Sequence, residues 1–273
     1  MDPLLRKQLE RLQILAHGKT HRRVLELFQS FPARGKLLEI PAGEGALAWR
    51  LAEMGYEVLG GDVDPDFFKV PFLRCLRLDM NQVFPLEDES FDFISCIEGL
   101  EHLENQFSFV RECRRILKPR GKLILSTPNI LNIASRMKYL LSGFYSLFPH
   151  PLNEFNLVPV FDHIHPVSYY QLRYQLHTSG FRIVQVTTDL YRRSSAGLLF
   201  LYPFCLLAMV RTMRKETDPR QKSANREIRR EMASREIFLG RTLIVVAEKN
   251  QDTGNMPVTT LASSMPARTF PSD

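Results

Sequence analysis

Two groups of residues in this 273-residue chain have types and spacing suited to chemistry. The first is Glu39-Ile40-Pro41-Ala42-Gly43-Glu44-Gly45, with Asp62 nineteen residues beyond Gly43. Glycines at 43 and 45 let the backbone turn tightly and let a ligand approach the start of a following helix. A carboxylate at the end of the next strand can accept two ribose hydroxyls. Gly43-x-Gly45-x-x-Ala48 also fits a dinucleotide fingerprint. Charge separates the two readings. A pyrophosphate over this loop would meet Glu39 and Glu44, and like charges a few ångströms apart repel. A sulfonium and an ammonium would be favoured there. The loop therefore points to S-adenosylmethionine ahead of a nicotinamide dinucleotide, with a ligand-free turn as the plain alternative.

The second group is Glu98-x-x-Glu101-His102, and beyond it Asp162-His163-Ile164-His165. Glu98 and Glu101 share one face if their segment is helical. Carboxylates and imidazoles are the side chains that move protons near neutral pH.

The elements around these groups alternate. Lys36–Ile40, Tyr56–Gly60, Leu73–Leu78, Phe91–Ile97 and Lys122–Ser126 read as strands. Ala46–Met54 and Phe107–Leu117 read as helices between them. Strand–helix alternation predicts an α/β fold with a doubly wound, Rossmann-like sheet. Such sheets bind ligands at the carboxyl ends of their strands, where both groups fall. Upstream, residues 3–17 and 20–31 read as helices. Residues 130–165 read as irregular, Val167–Ser179 as a helix, and Phe181–Thr187 and Thr242–Glu248 as strands. The expected organisation is one domain over 1–249. Its core spans 20–129, 166–190 and 240–249, with cap insertions at 130–165 and 191–239. Residues 250–273 are rich in Thr, Ser, Pro and Asn and read as a disordered tail.

The stretches Leu37–Leu51, Val58–Asp64 and Leu78–Ile97 resemble class I S-adenosylmethionine-dependent methyltransferases. So do Glu98-x-x-Glu101-His102-Leu103 and Arg115-Ile116-Leu117-Lys118-Pro119-x-Gly121, in the same order and spacing. The resemblance covers roughly 20–190 and the last strand. It implies a mostly parallel, mixed sheet. It also implies that Glu39, Ala42, Gly43 and Gly45 hold the methionine moiety, and that Asp62 and Val63 meet the ribose. Asp79 and Met80 would take the adenine. Pro41 departs from the family's usual glycine and brings no N–H.

Around Glu98–His102 the chain is similar to ubiquinone-biosynthesis O-methyltransferases and small-RNA 2′-O-methyltransferases. That resemblance implies Glu98, Glu101, His102 and His163 (or His165) as ligands of Mg²⁺ or Mn²⁺. His102 as a general base, with Glu98, and a purely positioning role stay open. Asn129, Arg136 and Tyr139 are candidates for the acceptor pocket.

The net charge is +6, and residues 211–235 hold nine Lys and Arg against four acids. Just upstream, 194–210 are seventeen uncharged residues, interrupted by Pro203. That run is at the lower limit for a membrane span and interrupts a sheet. It reads instead as a buried cap or homodimer contact, or as a segment lying on an anionic membrane surface through 194–235. The basic segment has few aromatics, which argues against nucleic acid. Four scattered cysteines and a charged N-terminus place the chain in the cytoplasm, or peripherally on the inner membrane face. The acceptor expected is a small or lipid-linked molecule methylated on oxygen. RNA 2′-O-methylation and a non-catalytic S-adenosylmethionine-binding scaffold are the alternatives.

Overall fold

The computed structural model describes residues 2–148, 151–153, 155 and 162–251. The residues read as a disordered tail lie outside these, apart from 250 and 251. Five short apolar segments pair side by side as parallel strands: β1 (Lys36–Glu39), β2 (Glu57–Asp62), β3 (Arg74–Arg77), β4 (Phe91–Ile97) and β5 (Leu117–Pro128). Two more follow, β6 (Phe181–Thr187) and β7 (Thr242–Lys249). The order across the sheet is β3-β2-β1-β4-β5-β7-β6, with β7 antiparallel to both neighbours. The strand order turns back between β1 and β4, which is where a crevice opens in such a sheet.

The central strands are buried on both faces, so they read as continuous apolar runs. On one face lie α4 (Gln106–Ile116) and α6 (Tyr169–Thr178), with Phe109, Ile116, Leu172 and Leu176 against Ile94, Leu123 and Val245. On the other, α2 (Gly18–Ser30) and α3 (Ala46–Glu53) bring Val24, Phe28, Leu47 and Leu51 against Leu37, Val58 and Phe93. Asp92 ties the sheet's lower end, accepting from Lys36 N–H at 2.9 Å and Lys118 Nζ at 2.8 Å.

Three segments differ from the sequence expectation. The helix expected over 3–17 stops early, as α1 (Pro3–Leu9). The chain from 10 to 17 instead lies over the glycine loop, where Gln13 N–H donates to Glu44 Oε2 at 2.7 Å. Within 130–165, expected to be irregular, α5 spans Ile133–Ser142. Asn132 caps its start, accepting from Ser135 N–H at 2.9 Å, and Gly143 ends it at φ +74°. The run 194–210 is not continuous. It forms α7 (Arg193–Ala196), a 3₁₀ turn (Leu199–Leu201) and the start of α8 (Tyr202–Met213), which Pro203 enters at its first turn. α9 (Pro219–Met232) and α10 (Arg235–Leu239) lead back to β7. No helix among the described residues is long and apolar enough to cross a membrane.

Candidate active site

Glu39 ends β1 and is buried. Its Oε2 has no hydrogen-bond partner. Burial pushes its carboxyl well above the usual range; the Ala48 N–H, in the first turn of α3, pulls it back in part, and the nearby Asp62 adds to the rise. Three amides of the loop that follows are spent inside the protein. Ala42 N–H donates to Gly61 O at 2.9 Å, Gly43 N–H to Asp62 Oδ2 at 2.8 Å, and Gly45 N–H to Ala42 O at 2.9 Å. Gly45 sits at φ +88°, and a Cβ there would lie 2.6 Å from Phe68 and Val70. The Glu44 carboxylate is not left for a ligand: Gln13 N–H and Lys69 Nζ hold it and keep it below the usual range.

Asp62 ends β2 and also accepts from Asp64 N–H at 3.1 Å. Each of its oxygens keeps a further lone pair. Val63 follows, its carbonyl taken by Arg77 at 2.5 Å. Asp79, past β3, is exposed, and its Oδ1 accepts from Asn81 N–H at 2.8 Å. Met80 beside it is buried and reaches toward Gly99. Gly99 is a site residue that sequence reasoning passed over. A Cβ there would fall 2.7 Å from Pro41 Cδ and 3.0 Å from Cys96 Sγ, so only glycine lets the glycine loop and the end of β4 approach. Leu15 is another: it lies against Gly43 and closes the loop's outer side.

The second group forms around a 3₁₀ turn, Leu100–His102, just past β4. Glu98 stands at φ +52°, and its Oε1 accepts from the Ser126 hydroxyl at 3.0 Å. Burial raises its carboxyl to about 7; Ser126 and Arg241 oppose the shift and Asp189 adds to it. Arg241 is itself held by Asp189 at 2.9 Å and Thr20 at 3.2 Å. Ser126, Asp189 and Arg241 carried no recognisable sequence signal, because pairing between distant strands brings them here.

Glu101 is fully buried; among the described residues neither carboxyl oxygen makes a hydrogen bond of good geometry, although the Thr127 hydroxyl lies beside it. Burial holds it well above the usual range, and Glu98 adds to this. His102 and His163 meet edge to face at 4.9 Å. His163 Nε2 lies 4.0 Å from Glu101 Oε1. One ligand atom from each of Glu101, His102 and His163 can be chosen so that all lie within 4.8 Å of one another. His102 Nδ1 is 2.9 Å from Asp162 O, and His163 Nδ1 is 2.8 Å from Leu147 O. A carbonyl only accepts, so His163 Nδ1 carries the proton and its Nε2 keeps a lone pair, whereas His102 has the backbone of Glu98 as a second partner beside Asp162. Burial lowers both imidazoles below their ordinary value, which keeps them neutral. Glu98 is not part of this trio. His165 points elsewhere, with Nδ1 2.9 Å from Leu103 O.

The proposed acceptor residues are placed differently. Asn129 is buried, and its side-chain N–H groups go to Ile237 O and Gly240 O, both at 2.9 Å. It locks β5 to α10 and is not free to meet an acceptor. Tyr139 stacks on Tyr145 at 4.3 Å on the outside of α5. Arg136 spends its Nε–H on Leu131 O at 2.6 Å.

The seven-strand order with its reversed β7 is the fold of class I S-adenosylmethionine-dependent methyltransferases. Residues 38–125 match the family model described as a methyltransferase domain. Among curated proteins the chain is similar to the ubiquinone biosynthesis O-methyltransferase of Xanthomonas axonopodis pv. citri. The two are 36% identical over 107 residues, covering 36% of this chain and 45% of that protein. The chain thus spans less than half the length of the curated relatives it matches. Among solved structures it is similar to a SAM dependent methyltransferase from Archaeoglobus fulgidus, with TM-score 0.54 and 19% identity, covering 84% of this chain and 92% of that one. Another, from Mesorhizobium loti, has TM-score 0.50 and 17% identity, covering 85% and 99%. At those identities the structures speak for the fold alone.

Proposed function

We propose that the chain transfers a methyl group from S-adenosylmethionine to an oxygen of a small or lipid-linked acceptor. One observation carries the cofactor half of this reading. The glycine loop's amides at 42, 43 and 45 are spent inside the protein, while Glu39 and Asp62, close enough to interact, bring carboxyl groups together at the ends of β1 and β2. A pyrophosphate would need donors there; a sulfonium and an ammonium need acceptors. Glu39 Oε2, buried and unpartnered, is the acceptor the ligand's ammonium would satisfy. Asp62 and Val63 would take the ribose, and Asp79 and Met80 the adenine.

The acceptor half rests on the second group. Methyl transfer from a sulfonium is an in-line displacement, so the protein mainly aligns the two reactants. An oxygen acceptor also has a proton to lose. Glu98, with its carboxyl near 7, is half ionised at neutral pH and suited to accept it. Glu101, His102 and His163 fit a divalent ion such as Mg²⁺ or Mn²⁺. Among the described residues the buried Glu101 oxygens have no hydrogen-bond partner of good geometry, and His163 Nε2 lies 4.0 Å from one of them. Bound there, the ion supplies Lewis acidity to an acceptor oxygen. His102 is then a ligand and not a base. The relative's printed name, ubiquinone biosynthesis O-methyltransferase, supports an oxygen acceptor. The unpaired thiols Cys96 and Cys113, buried in the core, suit a reducing compartment such as the cytoplasm.

The test is a comparison of cell extracts incubated with the protein and methyl-deuterated S-adenosylmethionine. A product carrying the labelled methyl on oxygen supports the reading. Label on nitrogen, on RNA, or on nothing would sink the oxygen acceptor, and the last result would favour a binding scaffold.

A further inference from the structure

Among the described residues, the helices between β6 and β7 leave an apolar surface uncovered. Leu198, Leu201, Tyr202 and Cys205 pack inward on Phe238 and Leu239 of α10. The opposite stripe, Phe200, Phe204 and Leu207, repeats at helical spacing and is 66%, 67% and 67% exposed. α5 lies alongside. Its Ile133 joins the same cluster, and Arg136 reaches Cys205. The outer side of α5 carries Leu140 and Leu141, 74% and 81% exposed. Large exposed apolar side chains on neighbouring helices mark a docking surface.

Charge identifies what it docks on. Residues 190–215 hold Arg192, Arg193, Arg211, Arg214 and Lys215 and no acid. Residues 129–148 hold Arg136 and Lys138 and no acid. Arg193, Arg211, Arg214 and Lys215 are exposed at the two ends of the apolar stripe. The acids of α9, Glu227 and Glu231, turn away to Arg173, each at 2.7 Å. That leaves Arg220, Lys222, Arg226 and Arg230 exposed on the same insertion. Leu and Phe side chains bordered mainly by cations, with Glu216 and Asp218 the next acids along the chain, match the boundary between acyl chains and anionic headgroups. α8 has 12 residues, too few to span a bilayer.

We propose that α5 and α8 dock this protein on an anionic bilayer surface, with the Phe200–Phe204–Leu207 stripe and Leu140–Leu141 entering the headgroup region. Both segments follow the carboxyl ends of strands, β5 and β6, the edge of the sheet that also carries Glu39 and Glu98. Docking therefore holds the cleft beside the bilayer, where a lipophilic acceptor would arrive. The docking itself does not depend on the methyltransferase reading.

The test is sedimentation of the full chain with vesicles of phosphatidylcholine alone, or mixed equally with phosphatidylglycerol. Binding to the anionic vesicles is expected, weakening as salt rises. Phe204→Glu with Leu207→Glu should weaken it about tenfold or more, because both side chains enter the interface. Arg211→Glu with Arg214→Glu should weaken it about as much. Leu141→Ser tests α5 separately with a milder change. Unaltered melting temperatures would show that the variants fold. No binding to anionic vesicles, or equal binding by folded variants, overturns the proposal. So does a wild-type dimer that the Phe204→Glu, Leu207→Glu variant dissociates, because a second copy would then cover this face.

Discussion

Gly43 N–H donates to Asp62 Oδ2 at 2.8 Å, so the loop's central amide is satisfied by a carboxylate of the protein itself. This bond joins the loop after β1 to the end of β2. It presents acceptors, not donors, to the cleft. We propose that a ligand entering there is selected for positive charge.

Glu39 should respond most sharply to that selection. Its carboxyl lies well above the usual range, chiefly through burial, so the free site favours the protonated form more than an exposed glutamate would. A bound ammonium favours the ionised form, so binding releases a proton. Affinity for S-adenosylhomocysteine should therefore rise with pH until the ligand's own ammonium titrates. Calorimetry in buffers of different ionisation enthalpy reads this release directly. Glu39→Gln should abolish the release and weaken binding about tenfold or more, while leaving the melting temperature unchanged or raised.

The metal trio makes a distinct claim. Manganese binding, followed by electron paramagnetic resonance, should be lost in Glu101→Gln and in His163→Ala. It should survive in His165→Ala, whose ring serves Leu103 O. Turnover should stop with EDTA and return with Mn²⁺. Turnover that persists in EDTA would reject the ion and leave His102 and Glu98 as the acid–base pair.

Gly45 tests the loop's geometry. At φ +88°, with a Cβ placed 2.6 Å from Phe68 and Val70, Gly45→Ala combines backbone strain with overpacking. A loss of about 2–4 kcal/mol is expected in urea unfolding. Gly18→Ala, with nothing within 4 Å, is the control and should be within about 0.5 kcal/mol of wild type.

Glu248 gives the pH dependence of stability. On β7 it bonds Lys122 at 2.5 Å and Arg182 at 3.1 Å, across both neighbouring strands. The Lys122 bond holds its carboxyl below the usual range, against some burial. A depressed folded value adds stability above the unfolded value and loses it as pH falls through the folded one. Glu248→Gln should cost about 0.5–1 kcal/mol at neutral pH, and the gap should close on acidification below about 4. A gap that widened in acid would contradict the assignment.

The central sheet was legible because its strands are short apolar runs separated by amphipathic helices, and each run had a turn signal at its end. Glu39, Gly43, Gly45 and Asp62 were legible for a related reason: they sit at the ends of those runs. The Glu101–His102–His163 trio was visible as residue types, but its geometry was not. His163 reaches Glu101 only because His165 N–H bonds Glu101 O at 2.9 Å, a contact sixty-four residues apart in the chain. The same distance problem hid Ser126, Asp189 and Arg241. Asn129 misled for a different reason. A polar residue past a strand end looks like a ligand group, yet here three carbonyls of the α10 region claim its N–H groups. α5 was missed because its apolar residues run around the helix, and those on its outer side face away from the core.

The central claim is that this cleft selects the adenosylmethionine scaffold through carboxylates. Calorimetric titration of the protein with S-adenosylhomocysteine and, separately, with NAD⁺ tests it most directly. Saturable binding of S-adenosylhomocysteine that Asp62→Ala weakens strongly, and no binding of NAD⁺, are expected. Binding of NAD⁺ at comparable strength, or S-adenosylhomocysteine affinity unchanged in Asp62→Ala, would contradict it.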